Sequence, residues 1–230
     1  MSPKRSRILG LVRPDVWDIE PYSAVEPPER LASRAGLTKE QIIKLDANEN
    51  PYGCSPAVGR ALSEFDEYHI YPDTICGDVQ ELLQGYIGAP ADSIIVGNGS
   101  DEIIDLIMRL FLSPGEKVIN CPPTFGYYAS SAAFCAGKVV RVPRLSDHGL
   151  DVEGIVKAID GSTKIVVIAS PNNPTGNCVK TGELTEILDT GLAVIVDEAY
   201  GEFSGKTVLP LTSEYDNLIV LRTFSKWAGL

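Results

Sequence analysis

The chain has 230 residues, of which 44% are hydrophobic and 22% charged, so its composition is that of a globular protein rather than a disordered one. Its 31 acidic and 20 basic residues give a formal net charge of −11. This charge argues against a general nucleic-acid or anionic-membrane surface, although it leaves room for a local cationic pocket that binds a small anion.

Three further features limit the class of protein. No stretch approaches the roughly 20 apolar residues of a membrane span, and we expect no signal peptide at the start. The five cysteines are an odd number without a CxxC pair, which is typical of reduced thiols in a cytoplasmic protein. His69 and His148 are far apart in sequence, so we expect no Cys/His zinc site.

Secondary structure is predicted unevenly along the chain. The first 50 residues are rich in proline and charge and have few periodic apolar runs, so they are predicted to be an arm or peripheral segment. Apolar residues at helical spacing predict helices at 57–65, 78–87, 101–111, 127–134 and 152–159. Short apolar runs predict strands at 93–96, 117–119, 139–142, 164–169, 193–196 and 218–221.

The character of the strands indicates the fold class. The runs at 164–169, 193–196 and 218–221 are continuously apolar rather than alternating, which indicates strands that are covered on both faces. Strands interleaved with helices indicate an α/β fold with a mostly parallel central sheet sandwiched by helices. Because the chain stops soon after the last predicted strand, without a closing helix, we expect it to be an N-terminal fragment.

Ligands of open α/β sheets bind at the carboxyl ends of the strands, so the residues that follow each strand are of interest. The strand at 93–96 is followed by Gly97-Asn98-Gly99-Ser100-Asp101-Glu102, which opens a helix. Glycine backbone and a helix N-terminus suit a phosphate group, although a plain strand-to-helix turn has the same pattern. The segment is neither GxGxxG nor a Walker A loop, so it does not indicate a dinucleotide or ATP.

Three other strand ends carry polar side chains. The rigid turn at 170–176 would present Asn173 as a hydrogen-bond donor. Asp197 ends a buried strand, where a carboxylate is costly unless it meets a cationic partner, and Tyr200 follows three residues later. Lys226 could act as a Schiff-base nucleophile. Taken singly, each also fits a structural reading, as a turn, a helix cap or a solvated charge.

Together, these four features match the requirements of one cofactor, pyridoxal 5′-phosphate. Its aldehyde needs a lysine, and its ring nitrogen needs an acid that keeps it protonated. Its phenolate oxygen needs donors, and its phosphate needs a helix N-terminus. The sequence therefore predicts a pyridoxal phosphate site.

The same motifs resemble those of the fold-type I, class I/II aminotransferases. The resemblance is carried by Asn173-Pro174-Thr175-Gly176, Asp197-Glu198-Ala199-Tyr200 and Ser225-Lys226, and it extends over nearly the whole chain from about Pro21. More narrowly, the chain resembles the histidinol-phosphate aminotransferase subfamily, with the closer matches at 45–53, 71–73, 97–102, 121–128 and 223–230. The stretches at 48–51 and 122–125 favour this subfamily more weakly than the motifs above favour the superfamily.

The resemblance implies a role for each site residue. Lys226 would bind the cofactor aldehyde and move the substrate proton, while Asp197 would pair with the ring nitrogen. Asn173 and Tyr200 would hydrogen-bond the phenolate oxygen, and Phe125 would stack on the ring. The cofactor phosphate would be held by Gly99, Ser100, Asp101, Thr223 and Ser225. Tyr71 would reach the cofactor of the neighbouring subunit in a homodimer. The residues near the substrate would be Tyr22, Asn48 and Asn50.

The resemblance also implies a reaction and a domain organisation. The expected enzyme transfers an amino group between L-glutamate and imidazole acetol phosphate, giving L-histidinol phosphate and 2-oxoglutarate in histidine biosynthesis. Residues 1–50 would form an arm and a small-domain segment, and residues 51–230 an incomplete large domain that binds the cofactor. The C-terminal small domain, with the arginine that grips the substrate carboxylate, would lie beyond Leu230, as would an arginine for the cofactor phosphate.

Several alternatives stay open at this stage. An aromatic or other amino-acid aminotransferase, or an amino-acid phosphate decarboxylase of the same fold, would share the residues at the cofactor. A non-catalytic sensing domain of a transcription regulator is disfavoured, because the first 50 residues are too short and proline-rich for a winged-helix domain. An inert fragment of a real enzyme is a further possibility.

Overall fold

The computed structural model describes residues 7–19 and 26–230. The strands are β1 (Lys117–Asn120), β2 (Lys138–Arg141), β3 (Thr163–Ala169), β4 (Ala193–Asp197) and β5 (Leu218–Leu221). The α-helices are α1 (Pro28–Ala35), α2 (Pro56–Glu64), α3 (Gly77–Ile87), α4 (Gly99–Phe111), α5 (Tyr127–Phe134), α6 (Val152–Ala158), α7 (Thr181–Leu188) and α8 (Gly201–Ser204). Among the described residues, none of these helices has both the length and the apolar character needed to cross a lipid bilayer.

The five strands form one parallel sheet in the order β2-β1-β3-β4-β5. In the register of the sheet, Ala169 at the end of β3 lies opposite Asp197 at the end of β4, and Asp197 lies opposite Leu221 at the end of β5. The three strands therefore end level with one another, and the segments that follow them start from the same edge of the sheet.

Apolar side chains cover the sheet on both faces. Val166 and Ile168 of β3 pack toward α6 and α7, whereas Ile165 and Val167 pack toward α4 and α5. This alternation follows from the two-residue period of a strand. Each fully buried aliphatic side chain of this kind contributes about 1.5–3 kcal/mol to stability, so the central strands anchor the fold.

Local signals explain several helix starts. Ser55 precedes α2, where its hydroxyl accepts a hydrogen bond from the N–H of Ala57 at 3.3 Å and Pro56 occupies the first helical position. Asp151 precedes α6, and its carboxylate accepts from the N–H of Gly154 at 2.9 Å. These caps satisfy N–H groups that have no partner inside the helix.

The structure confirms the predicted parallel α/β sheet, and the five predicted helices and five of the predicted strands begin and end within two residues of the observed ones. The strand predicted at 93–96 is wrong. Ala91–Ser93 forms a 3-10 turn, and the extended residues 94–96 form no ladder with any described strand. Ile95 is largely exposed, so this apolar run does not mark a buried strand. Helices α1, α7 and α8 were not predicted.

Candidate active site

A cavity of about 630 Å³ lies at the carboxyl edge of the sheet. The turns after β3, β4 and β5 and the N-terminus of α4 form its walls, which is the usual ligand position in an open α/β sheet. It brings together most of the predicted site residues: Asn48, Gly99, Ser100, Asp101, Phe125, Asn173, Asp197, Tyr200, Thr223, Ser225 and Lys226.

Two predicted site residues, Asn50 and Tyr71, lie outside this cavity, and a third cannot be placed. Asn50 lines an adjoining cavity of about 710 Å³. The side chain of Tyr71 is 97% exposed and lines neither of these two cavities. Tyr22 lies outside the described residues. The proposed roles of Tyr71 and Tyr22 therefore stay predictions.

Asp197 provides a buried carboxylate at the end of β4. The Tyr128 hydroxyl donates to its Oδ2 at 2.6 Å, and the N–H of Ala199 donates to its Oδ1 at 2.9 Å. Burial raises the pKa of the Asp197 carboxyl above its usual value, although the two donors and the Lys226 ammonium oppose this shift. A cationic N–H group brought into the cavity would stabilise the carboxylate further.

Tyr128 is the most direct partner of Asp197, and the sequence analysis did not identify it. It lies on α5, is 1% exposed, and packs edge-to-face on Phe125 with ring centroids 5.5 Å apart. Burial, together with the charge of Asp197, raises the pKa of the Tyr128 hydroxyl well above its ordinary value. The hydroxyl therefore stays protonated and acts as a hydrogen-bond donor.

Asn172, the residue before Asn173, anchors the turn after β3. Its Oδ1 accepts from the Thr124 hydroxyl at 2.8 Å, and its Nδ2 donates to the Pro123 carbonyl at 2.9 Å and to the Thr175 hydroxyl at 2.7 Å. These bonds hold the turn on the neighbouring loop. The adjacent Asn173, which the sequence analysis predicted to be a hydrogen-bond donor to the ligand, lines the cavity.

Lys226 lies in a turn after β5 and lines the same cavity. Its Nζ donates to the Ala47 carbonyl at 3.4 Å and lies 5.9 Å from the centre of the Tyr200 ring. The Tyr200 hydroxyl accepts a hydrogen bond from Nδ2 of Asn48 at 2.9 Å. Residues 47 and 48 therefore contact the Lys226 amine and the Tyr200 hydroxyl, the two groups that the sequence analysis predicted to bind the same ligand.

The N-terminus of α4 offers a site for an anion. Gly99 begins this 13-residue helix with a φ of +77°, which favours glycine. The Ser100 hydroxyl in its first turn is buried and has no hydrogen-bond partner among the described residues. Buried hydroxyls normally have a partner, and a helix N-terminus favours negative charge. Both features fit a phosphate group that binds to this wall.

A buried ion pair joins the ends of β4 and β5, and it too was missed by the sequence analysis. The 1% exposed Glu198 accepts from Arg222 Nη1 at 3.2 Å, the Val208 N–H at 2.6 Å and the Thr207 hydroxyl at 2.7 Å. Arg222 Nη2 also donates to Glu202 at 2.5 Å. Glu198 directly follows Asp197, and Arg222 precedes the turn that contains Lys226. The ion pair therefore fixes the Asp197 carboxylate relative to the Lys226 amine.

These groups define what the cavity can bind. A carboxylate, an amine, donors from Asn173 and Tyr200 and a helix N-terminus line a single space. They match a flat ligand that carries a cationic ring nitrogen, an electrophilic carbon and an anionic group. Within the described part of the chain, no three His, Cys, Asp or Glu side chains come together in a group that could hold a metal ion.

The chain belongs to the class I and II aminotransferases, because the model of this family matches residues 40–230. This confirms the family resemblance that the sequence motifs indicated. The chain is 48% identical over 219 residues to the histidinol-phosphate aminotransferase of Dehalococcoides mccartyi, covering 95% of this chain and 60% of that protein. It is 43% identical over 233 residues to the chloroplastic histidinol-phosphate aminotransferase of Nicotiana tabacum, covering 100% of this chain and 56% of the relative.

A solved structure supports the same relationship. The chain is similar to the crystal structure of histidinol-phosphate aminotransferase from Sinorhizobium meliloti in complex with pyridoxal-5′-phosphate, with a TM-score of 0.80 and 25% identity. The match covers 95% of this chain and 60% of that one. The predicted fold-type I architecture is therefore confirmed, and the chain spans about 60% of the length of the relatives it matches.

Proposed function

We propose that the complete protein is a pyridoxal phosphate-dependent aminotransferase. In this proposal it moves an amino group between L-glutamate and imidazole acetol phosphate, giving L-histidinol phosphate and 2-oxoglutarate. One arrangement carries the proposal: Lys226 and Asp197 line a single cavity that also contains the N-terminus of α4. The names of the relatives support the choice of substrate.

The residues of the cavity fit pyridoxal phosphate on the chemistry of their donors. The unpartnered Ser100 hydroxyl and the N–H groups of α4 would hold the phosphate. Asp197 would pair with the ring nitrogen, and Lys226 would bind the aldehyde carbon. Phe125 lines the same cavity and would stack on the ring.

The mechanism assigns each side chain one task. When bound, pyridoxal phosphate supplies a protonated ring that accepts the electron pair released at the substrate Cα. Asp197 holds the proton at the ring nitrogen, and the Tyr128 hydroxyl and the Ala199 N–H keep its carboxylate oriented. Lys226 Nζ would act as a general base that takes the proton from the substrate Cα, and then as a general acid that delivers this proton to the aldehyde carbon of the cofactor.

The assembly and the compartment also belong to this proposal. A homodimer is supported by Tyr71, whose exposed side chain is available to a second subunit. Residues 1–50 would act as the arm and small-domain segment beside the large domain of residues 51–230. A cytoplasmic location is supported by the five free cysteines, although the tobacco relative is chloroplastic. The partners are small molecules rather than nucleic acid or membrane, as the net charge of −11 favours.

The test uses the complete reading frame, because the chain spans about 60% of its relatives. Glutamate-dependent conversion of imidazole acetol phosphate is compared with that of phenylpyruvate. We expect imidazole acetol phosphate to be preferred by about 10²-fold or more in kcat/KM, which is about 2.7 kcal/mol of differential transition-state binding. Exclusive use of phenylpyruvate would overturn the proposed substrate.

A variant tests the role of the lysine separately. Lys226→Ala should abolish turnover and the covalent cofactor link that borohydride reduction fixes on the protein. Lys206→Ala is the matched control, because Lys206 is exposed and lines neither cavity. Labelling should persist in Lys206→Ala, and covalent labelling that survives in Lys226→Ala would refute the assignment.

A further inference from the structure

The side-chain amide of Asn50 is bound at both ends to the main chain. Its Nδ2 donates to the Trp227 carbonyl at 2.9 Å, and its Oδ1 accepts from the N–H of Tyr52 at 3.0 Å. The second bond fixes the orientation of the amide, and the first ties it to the residue that directly follows Lys226. Asn50 is therefore attached to the lysine turn itself, although the family resemblance assigns it to the substrate.

Two more contacts bring the segment 47–53 against the turn 226–229. Gly229 has a φ of +67°, and a Cβ at this position would lie 2.9 Å from the carbonyl carbon and oxygen of Gly53. The Nζ of Lys226 donates to the Ala47 carbonyl. The two segments thus touch at the beginning, the middle and the end of the turn.

The other side of the turn is held by aromatic rings and by its own hydrogen bonds. The Trp227 ring stacks on Tyr86 of α3, with centroids 6.0 Å apart and planes at 18°. The Phe224 carbonyl accepts from the N–H groups of Ala228 and Leu230 at 3.2 and 3.3 Å. Asn50 completes this arrangement with a bond to a main-chain carbonyl inside the turn.

We propose that Asn50 is a positioning residue for Lys226. By holding the Trp227 carbonyl, it fixes the backbone next to the lysine and keeps Nζ directed into the cavity. The importance of this position rests on the proposed function, in which Lys226 binds the cofactor. Loss of the bond should loosen the turn without removing a contact to the substrate.

The first experiment measures the turn without cofactor, by hydrogen exchange of the peptide 224–230 in the complete protein. Asn50→Asp keeps the acceptor for the Tyr52 N–H and removes the donor to Trp227, while Asn50→Ser shortens the side chain without adding charge. Both should exchange about fivefold faster in this peptide, the factor that corresponds to a net hydrogen bond of about 1 kcal/mol.

Asn217→Asp is the matched control. Asn217 precedes β5 at the opposite end of the strand, and its Nδ2 donates to the carbonyls of Leu188 and Leu192 at 2.9 and 2.8 Å. This variant also removes amide-to-carbonyl bonds, but it should leave exchange of the peptide 224–230 unchanged. Unchanged exchange in both Asn50 variants, or equal acceleration in Asn217→Asp, would overturn the proposal.

The second experiment uses the cofactor-loaded protein. The pH midpoint of its visible absorbance should shift in Asn50→Ser and not in Asn217→Asp, and kcat should fall while KM for both substrates stays within about twofold. A rise in KM with unchanged exchange would identify Asn50 as a substrate ligand and refute the positioning role. Accelerated exchange in a protein without aminotransferase activity would instead support the positioning role and refute the proposed function.

Discussion

The Tyr128 hydroxyl provides the sharpest test of the electrostatics of the site, because it donates to Asp197 at 2.6 Å inside the core. Tyr128→Phe removes this one O–H group and keeps the ring that packs on Phe125. Hydrogen bonds to charged groups contribute about 1.5–3 kcal/mol, and both partners here are buried. We therefore expect the free energy of unfolding of the cofactor-free protein to fall by about 2–3 kcal/mol near neutral pH.

The pH dependence of this loss follows from the pKa of Asp197. Burial raises that pKa, and the bond from Tyr128 lowers it, so the variant should raise it further. A carboxyl whose pKa is higher in the folded state than in the unfolded state does not lower the free energy of unfolding at a pH below its unfolded pKa. As the pH rises from there through its folded pKa, it lowers the free energy of unfolding progressively. The cost of Tyr128→Phe should therefore grow from acidic to neutral pH.

The assay is urea unfolding of the complete, cofactor-free protein at about pH 5 and about pH 8. Tyr215→Phe is the matched control, because the half-buried Tyr215 donates to Asp189 at 3.3 Å in a solvent-exposed hydrogen bond. This control should lose much less stability. A loss in Tyr128→Phe no larger than that in Tyr215→Phe, or a loss independent of pH, would refute the reasoning.

Three further substitutions test other parts of the site. Asp197→Asn should lower kcat by about 10²- to 10³-fold, which is the effect of removing one preorganised electrostatic group, while absorbance shows that the cofactor is still bound. Unchanged turnover would refute the role of Asp197. Gly229→Ala should lower thermal stability more than Gly205→Ala. Both glycines have a positive φ, but only at Gly229 would an added Cβ clash with neighbouring backbone atoms, so equal losses of stability would contradict this interpretation. Arg222→Met should cost about 3 kcal/mol in urea unfolding, because it leaves the buried Glu198 without its cationic partner, and a neutral effect would show that the pair is not needed.

The central sheet could be predicted because its strands are continuously apolar. Runs such as 164–169 have few other stable positions than between two layers of helices. Helix α7 could have been recognised from Leu184, Ile187 and Leu188, which share one buried face. The apolar run at 93–96 was misleading. A short apolar segment forms a strand only where a neighbouring strand pairs with it, and none of the described strands pairs with residues 93–96.

The site could be predicted only in part. Asp197 is the last residue of β4 and Lys226 follows β5, so the rule that ligands bind at the carboxyl edge of the sheet was enough to place them together. Tyr128 bonds to a residue 69 positions away, and Arg222 pairs with one 24 positions away. Such pairings depend on how α5 and the strand ends pack, and no periodicity along the chain encodes them.

The bond between Asn50 and Trp227 joins residues that are 177 positions apart. During synthesis, Asn50 leaves the ribosome long before Trp227. The entropic cost of bringing two residues together grows with the number of residues between them. The nascent chain thus has all five strands available for pairing before the amine at position 226 can be secured. The turn that holds Lys226 can therefore be tied to residue 50 only after all five strands of the sheet have been synthesised.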